Sequence, residues 1–369
     1  MLKYLRLYRI ILRNFGFKLR PLGTLGLIGL RHLLSASGRG LDHVLAPGFR
    51  SMPLDRPVFI LGNPRSGTTF LHRFLLNTGE LCAFELWEML LPAVTGRRAL
   101  SRVIDRFAPL SPARYHSSDA HDTSLRDVET DDAAPFFHFV EGGFLWAYFW
   151  AWEDDWGSDS ARKIFELDAL PSHEQERFFR YLEGCWRRNL YAKGKGRFIV
   201  KSSLLGAGAR TLMKRYPDAK IIYLVRDPVA TIPSGMSLLT SVLDRSYNIF
   251  ETTDANRRAR YLNNLYQASC HMYRTLLRVK RESIIPAENL RIITYPQLMR
   301  ELEPTLRDLV KFLELSPAPG FWEEVRLQGE RQRAYQSKHF YSLEKFGLTE
   351  SQIRSDLAEI YQEFDLEMV

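Results

Sequence analysis

The spacing of apolar and polar positions divides the chain into an unusual first fifty residues and a longer, regular remainder. Lys3, Arg6, Arg9 and Arg13 fall on one helical face, and Tyr4, Tyr8, Ile11 and Phe15 fall on another. Leu22 to Leu34 is apolar, holds three glycines and is broken by Arg31 and His32, which makes it short for a bilayer span. From Pro57 onward, short apolar runs alternate with helix-period stretches. Strands are expected at Val58 to Leu61, Arg197 to Lys201, Lys220 to Val225 and Leu290 to Thr294. Helices are expected at Phe70 to Leu76, Ser172 to Tyr191 (capped by Ser172 with Gln175), Ala207 to Arg215, Val229 to Leu243, Asn256 to Arg281 and Gln297 to Leu313. Strands separated by helices of this length indicate a parallel sheet wrapped by helices, an α/β fold. No linker composition appears after residue 50, so residues 1–50 read as a basic amphipathic arm and 51–369 as one domain.

Charge sharpens the reading of the arm. No acidic residue precedes Asp42, which is the pattern of a segment lying on an anionic membrane surface; a helix docked on the protein's own surface is the alternative. Over the whole chain of 369 residues, 51 Lys and Arg against 43 Asp and Glu favour anionic ligands. The basic residues form no patch interleaved with aromatics, which argues against nucleic acid. Cys82, Cys185 and Cys270 are distant and odd in number, suggesting a reducing compartment such as the cytoplasm, with the arm peripheral on the inner membrane face. Pro135 to Trp156 is dense in aromatic rings, either as core or as a lid over an apolar acceptor.

The chemistry centres on Gly62-Asn63-Pro64-Arg65-Ser66-Gly67-Thr68-Thr69, between the first strand and the first helix of the regular region. Backbone N–H groups of such a loop and a helix N-terminus converge on one spot and favour an anion. The Gly62 to Gly67 spacing matches a nucleotide-triphosphate loop, but Thr68 stands where the phosphate-binding lysine belongs, and Arg65 supplies a cation earlier. A second basic element is Arg226-Asp227-Pro228 at a strand end, with Ser234 eight residues on. A cation and a hydroxyl so placed can hold a phosphate from two sides.

These two motifs, in this order, resemble the sulfotransferases that use 3′-phosphoadenosine 5′-phosphosulfate (PAPS). Pro-Arg-Ser-Gly-Thr-Thr is similar to their 5′-phosphosulfate loop, which implies that Arg65, Ser66, Gly67, Thr68 and Thr69 bind the donor. Arg226 and Ser234 resemble the element that holds its 3′-phosphate. Phe198 to Lys201 is similar to the family's middle strand, whose lysine reaches the sulfuryl group. Ser337 to Leu348 resembles the closing segment of a bacterial branch, where a basic residue, here Lys338, covers the nucleotide. The resemblance spans roughly residues 50 to 350 and implies a P-loop-kinase-like sheet with a largely helical acceptor-binding insert.

Arg65 is then expected to neutralise the leaving oxygen and Lys201 the sulfuryl oxygens, with fixed cations doing what a metal does elsewhere. A general base must take the acceptor's proton. Ser203 stands where the cytosolic small-molecule branch has a histidine. Glu85 falls where the tyrosylprotein branch places a glutamate, with Glu88 one turn further on. His121, Glu129, Asp131 and Asp132 resemble an acidic motif of the bacterial branch that orients the acceptor or serves as base; a solvated acidic loop is the plainer reading. His72 reads as structural and Asp227 as locally paired. The acceptor is expected to be a small, lipid-like alcohol or amine. A carbohydrate acceptor, a nucleotide kinase and a non-catalytic nucleotide-binding scaffold remain the alternatives.

Overall fold

The computed structural model describes residues 2–16, 19–106, 124–128, 130–139, 142–194, 196–334 and 342–366. The chain forms two compact units, each built from three segments. Met1–Pro53, Phe84–Gly194 and Met236–Ala268 form the first; Leu54–Ala83, Lys195–Gly235 and Ser269–Val369 form the second.

The second unit carries the sheet. Its strands are β1 (Val58–Gly62), β2 (Ile199–Ser202), β3 (Lys220–Val225) and β4 (Leu290–Thr294), all parallel, in the order β2-β1-β3-β4. Every residue of β1 and β2 is buried, which is why β1 reads as an unbroken apolar run rather than an alternating one, while β2 carries the buried polar residues Lys201 and Ser202. Phe59 meets Phe198 edge-on, at 6.2 Å between centroids, and anchors the packing beneath β1. α3 (Thr68–Leu76) follows the β1 loop and begins two residues earlier than its apolar period suggests. The helix expected over Gln297 to Leu313 is two helices, Tyr295–Arg300 and Leu302–Leu313. Pro304 is the reason: it lacks an N–H, and its ring would strike the Arg300 carbonyl of a continuous helix. The Ser172–Lys193 helix has Pro171 rather than Ser172 at its N-cap, and Gln175 turns back to the carbonyls of Asp168 and Leu170.

The first unit is helical with an aromatic core. Trp146, Tyr148, Phe149, Trp150 and Trp152 are all buried, so these rings of the dense block are core and not a lid. Trp152 stacks on Tyr261 at 4.3 Å, and Phe15 stacks on Tyr247 at 4.6 Å while meeting Trp152 edge-on. Phe15 belongs to α1 (Leu2–Phe15), whose Leu7, Ile10 and Ile11 are also buried. Arg6 pairs with Asp154 at 2.6 Å, and Arg257 donates to the Arg13 carbonyl. The apolar face of α1 is therefore spent inside its own unit.

α2 (Leu19–Leu45) is fixed by a buried charge. Asp42 is fully buried and accepts from the N–H groups of Val94 and Thr95, the Thr95 hydroxyl at 2.8 Å and Arg188 Nε at 2.7 Å. Burial by itself would push this carboxyl up, but the Thr95, Arg188 and Val94 donors outweigh that and hold it below its ordinary 3.8. A depressed carboxyl contributes stability above its unfolded value and loses it as pH falls through the folded one. Among the described residues no helix is long and apolar enough to cross a membrane. Asp42→Ala is expected to lower the unfolding free energy at pH 7 by about 3–5 kcal/mol, because Arg188 is left buried without its carboxylate. Urea titration at pH 7 and again below pH 4 checks this, with the difference between the two proteins shrinking at the lower pH.

Candidate functional site

The site lies at the carboxyl ends of β1, β2 and β3, where the loops of a parallel α/β sheet gather. Gly62 ends β1 opposite Leu224 with φ +147°, and a Cβ there would lie 2.6 Å from the Leu224 carbonyl oxygen. Only glycine fits so close to the neighbouring strand in that backbone region. The loop then folds on itself: Ser66 is buried and donates to the Asn63 carbonyl at 2.7 Å, while Asn63 donates to the Ser269 carbonyl. Gly67 is the N-cap of α3 at φ +98° with no side-chain cap, so the first-turn N–H groups have no side-chain acceptor supplied by the N-cap. A Cβ on Gly67 would crowd Leu298 at 3.2 Å and Tyr295 at 3.3 Å. Uncapped donors at a helix start, flanked by the hydroxyls of Thr68 and Thr69, fit a phosphate-like anion.

Three cations converge here. Arg65 sits in the loop at φ +75°, a left-handed conformation that costs a non-glycine residue about 1–3 kcal/mol. Its contacts balance that cost. The Arg65 carbonyl accepts from Arg226 Nη1 at 3.0 Å, and Arg65 Nε donates to Ser234 Oγ at 3.1 Å. Arg226 follows the last residue of β3, and Ser234 lies in the Pro228–Tyr247 helix. Loop and second basic element, separated by some 160 residues of sequence, are thus hydrogen-bonded to each other directly. Lys201, opposite Ile60 on β2, is buried, and its Nζ donates to Thr69 Oγ1 at 2.6 Å.

The supporting residues carry no local sequence signal. The Arg226 guanidinium lies over the Tyr295 ring at 4.0 Å, and Tyr273 donates its hydroxyl to the Arg226 carbonyl at 2.7 Å. Burial raises the Tyr273 phenol well above its ordinary value, so it stays a donor throughout the neutral range. Asp227 turns away from its neighbour. It caps the Pro228–Tyr247 helix through the Val229 N–H and accepts from the Tyr361 hydroxyl at 2.6 Å, a local structural role. Tyr295 follows β4 directly, where a strand-end position could have drawn attention; Tyr273 lies inside a long helix and gives none.

Of the remaining sequence expectations, His72 is fully buried on α3. Asp131 and Asp132 are buried rather than solvated, and Asp132 accepts from the Thr130 hydroxyl. His121, Glu129 and Lys338 lie outside the described residues. In the first unit, Glu85 is the N-cap of α4 (Leu86–Leu90), and its carboxylate accepts from the Trp87 indole at 2.8 Å. The buried carboxylate of Glu88 is met by Lys193 at 2.8 Å, Arg97 at 3.6 Å and the Glu85 backbone N–H. Ser203 is half-buried after β2, and Ser202 beside it accepts from the Leu204 and Leu205 N–H groups.

An all-parallel sheet with a glycine-bearing strand-to-helix loop after β1 and an arginine at the end of the adjoining β3 gives a P-loop-kinase-like α/β protein. The chain belongs to the Sulfotransferase family, whose sequence model matches residues 57–319. Among solved structures, sulfotransferase STF9 from Mycobacterium avium superposes with a TM-score of 0.66 at 19% identity, covering 87% of this chain and 80% of that one. Sulfotransferase STF1 from Mycobacterium tuberculosis H37Rv gives 0.66 at 16% identity, covering 96% and 90%. A curated relative is the omega-hydroxy-beta-dihydromenaquinone-9 sulfotransferase Stf3 of Mycobacterium tuberculosis (strain CDC 1551 / Oshkosh), 23% identical over 191 residues. The aligned stretch is 50% of this chain and 45% of that protein, so the match spans about half the length of each.

Gly62→Ala is expected to destabilise the fold by about 1–3 kcal/mol, since the added methyl group meets the β3 backbone and φ stays in the left-handed region. Denaturant midpoints check it; a midpoint equal to the wild type would show that the strand end can shift to make room.

Proposed function

We propose that the protein transfers a sulfuryl group from PAPS to a hydroxyl or amine of a small, lipid-like acceptor. The observation that carries the reading is the pair of hydrogen bonds joining Arg65 to Ser234 and Arg226 to Arg65. They bring the two family motifs together at the ends of adjoining strands. When bound, PAPS supplies an activated sulfuryl group on a phosphate oxygen. The α3 N-terminus with Ser66, Thr68 and Thr69 would hold its 5′-phosphosulfate, and Arg226 with Ser234 its 3′-phosphate. Charge builds on the bridging oxygen as the sulfur–oxygen bond to phosphate breaks and the bond to the acceptor forms. Arg65 would neutralise that oxygen, and Lys201, tied to Thr69, would hold positive charge against the sulfuryl oxygens.

The acceptor's proton needs a base, and Glu85 is the preferred residue. Glu88 is already engaged by Lys193 and Arg97, whereas Glu85 accepts an indole N–H and stays partly exposed. An indole donor orients a carboxylate without supplying a competing full charge. The lipid-like character of the acceptor draws on the relative Stf3, an omega-hydroxy-beta-dihydromenaquinone-9 sulfotransferase.

Isothermal titration tests the donor. Adenosine 3′,5′-bisphosphate is expected to bind more tightly than ATP with magnesium, and Arg226→Ala to weaken that binding at least about tenfold. Tighter, magnesium-dependent ATP binding would overturn the assignment. Glu85→Gln is expected to bind the bisphosphate normally and to turn over labelled PAPS about a hundredfold more slowly across an acceptor panel. Undiminished turnover would remove Glu85 from the base role.

A further inference from the structure

We propose that the first unit docks on an anionic phospholipid surface through α2, with the basic face of α1 beside it. Between Leu27 and Leu45 the charged residues of α2, Arg31, Arg39 and Asp42, are engaged by the protein itself. Asp42 is fully buried with Arg188, Arg31 donates to the Leu90 carbonyl, and Arg39 donates to Ser35 and lies over Tyr181. What faces outward is mostly apolar, with Ser37 and His43 the exposed polar side chains between Leu27 and Leu45. Leu27, Leu30, Leu34, Leu41, Val44 and Leu45 are each between 52% and 77% exposed. At helical spacing they fall within an arc of about 100° and run for roughly 27 Å. From Leu27 to Leu45, no exposed residue is Lys, Arg, Asp or Glu. A helix with its charges inside and a largely apolar stripe outside, interrupted by Ser37, has the polarity of an element that something apolar covers.

The neighbouring helix selects the partner. α1 packs against α2, and Tyr4 and His32 are hydrogen-bonded across the pair. Lys3, Arg6, Arg9 and Arg13 of α1 are all exposed. Arg6, Arg9, Leu12, Arg13 and Glu153 line an open surface groove of about 580 Å³. Asp154 pairs with Arg6 and Glu153 approaches Arg13 at 3.5 Å, while exposed Arg9 adds further positive charge to this face. A symmetric dimer through the α2 stripe would tend to bring two such basic faces together and suffer their repulsion. An anionic bilayer instead satisfies both features, taking leucines below the headgroups and guanidinium groups among them. This docking does not depend on the proposed reaction, although it suits a lipid-like acceptor.

Vesicle flotation of the full chain tests it without nucleotide. The protein is expected to float with phosphatidylcholine vesicles containing about one-third phosphatidylglycerol, and roughly tenfold less with phosphatidylcholine only or in high salt. The double variant Leu34→Glu, Leu41→Glu should lose flotation at least about tenfold, and Arg9→Glu should lose most of the preference for anionic vesicles. An unchanged circular-dichroism melt and unchanged bisphosphate binding in these variants show that the fold is kept, and they separate this result from any failure of the sulfotransferase reading. Flotation of the double variant equal to that of the wild type would overturn the proposal. So would a wild-type dimer by light scattering that the double variant abolishes, with no vesicle binding by either.

Discussion

The hydrogen bond from the Arg226 guanidinium to the Arg65 carbonyl is the contact around which the site is arranged. It is possible because β1 and β3 are adjacent and parallel, so that both strands deliver their carboxyl ends to the same edge of the sheet. Neighbouring strands lie about 4.8 Å apart, within reach of one arginine. That contact also accounts for the backbone of Arg65. A left-handed arginine is unfavourable in isolation, but here the conformation directs its carbonyl toward Arg226 while its own side chain reaches Ser234. One residue thereby couples the anion loop to the second basic element through both its main chain and its side chain.

Behind this coupling stands a layer of tyrosines. Tyr295 supports the Arg226 guanidinium from one face, and Tyr273 ties down its carbonyl. The adjoining Asp227 is held by donors of its own, the Val229 N–H and the Tyr361 hydroxyl. Tyr361 comes from the Ala358–Phe364 helix, which Lys280 and Arg281 hold through Glu359 and Glu363. Exposed pairs of that kind contribute little each. Their effect here is to keep the Asp227 partner in register.

The first unit obeys the opposite economy at its periphery. α1 presents charge to solvent and buries its apolar side, as an amphipathic helix should. α2 does the reverse between Leu27 and Leu45, and Asp42 holds it there. Turning α2 over would require leaving Arg188 buried without its carboxylate, a cost of about 3–5 kcal/mol. The outward leucines are therefore imposed by a polar anchor rather than tolerated by a loose helix.

The anion loop, the Arg226 to Ser234 element, all four strands and the parallel character of the sheet were legible in the chain, because each is written in a short window. Gly62 to Thr69 and Lys220 to Val225 declare themselves through local backbone and burial requirements. The long-range pairing of Arg65 with Ser234, the tyrosines behind Arg226 and the inward charges of α2 were not legible. Their partners lie between about 50 and 170 residues away in sequence, and nothing in a local pattern ranks one distant partner above another. Periodicity could state that Leu22 to Leu34 is apolar, but not which side of the helix would face the core. Asp42, by claiming Thr95 and Arg188, decided that only once the chain had folded.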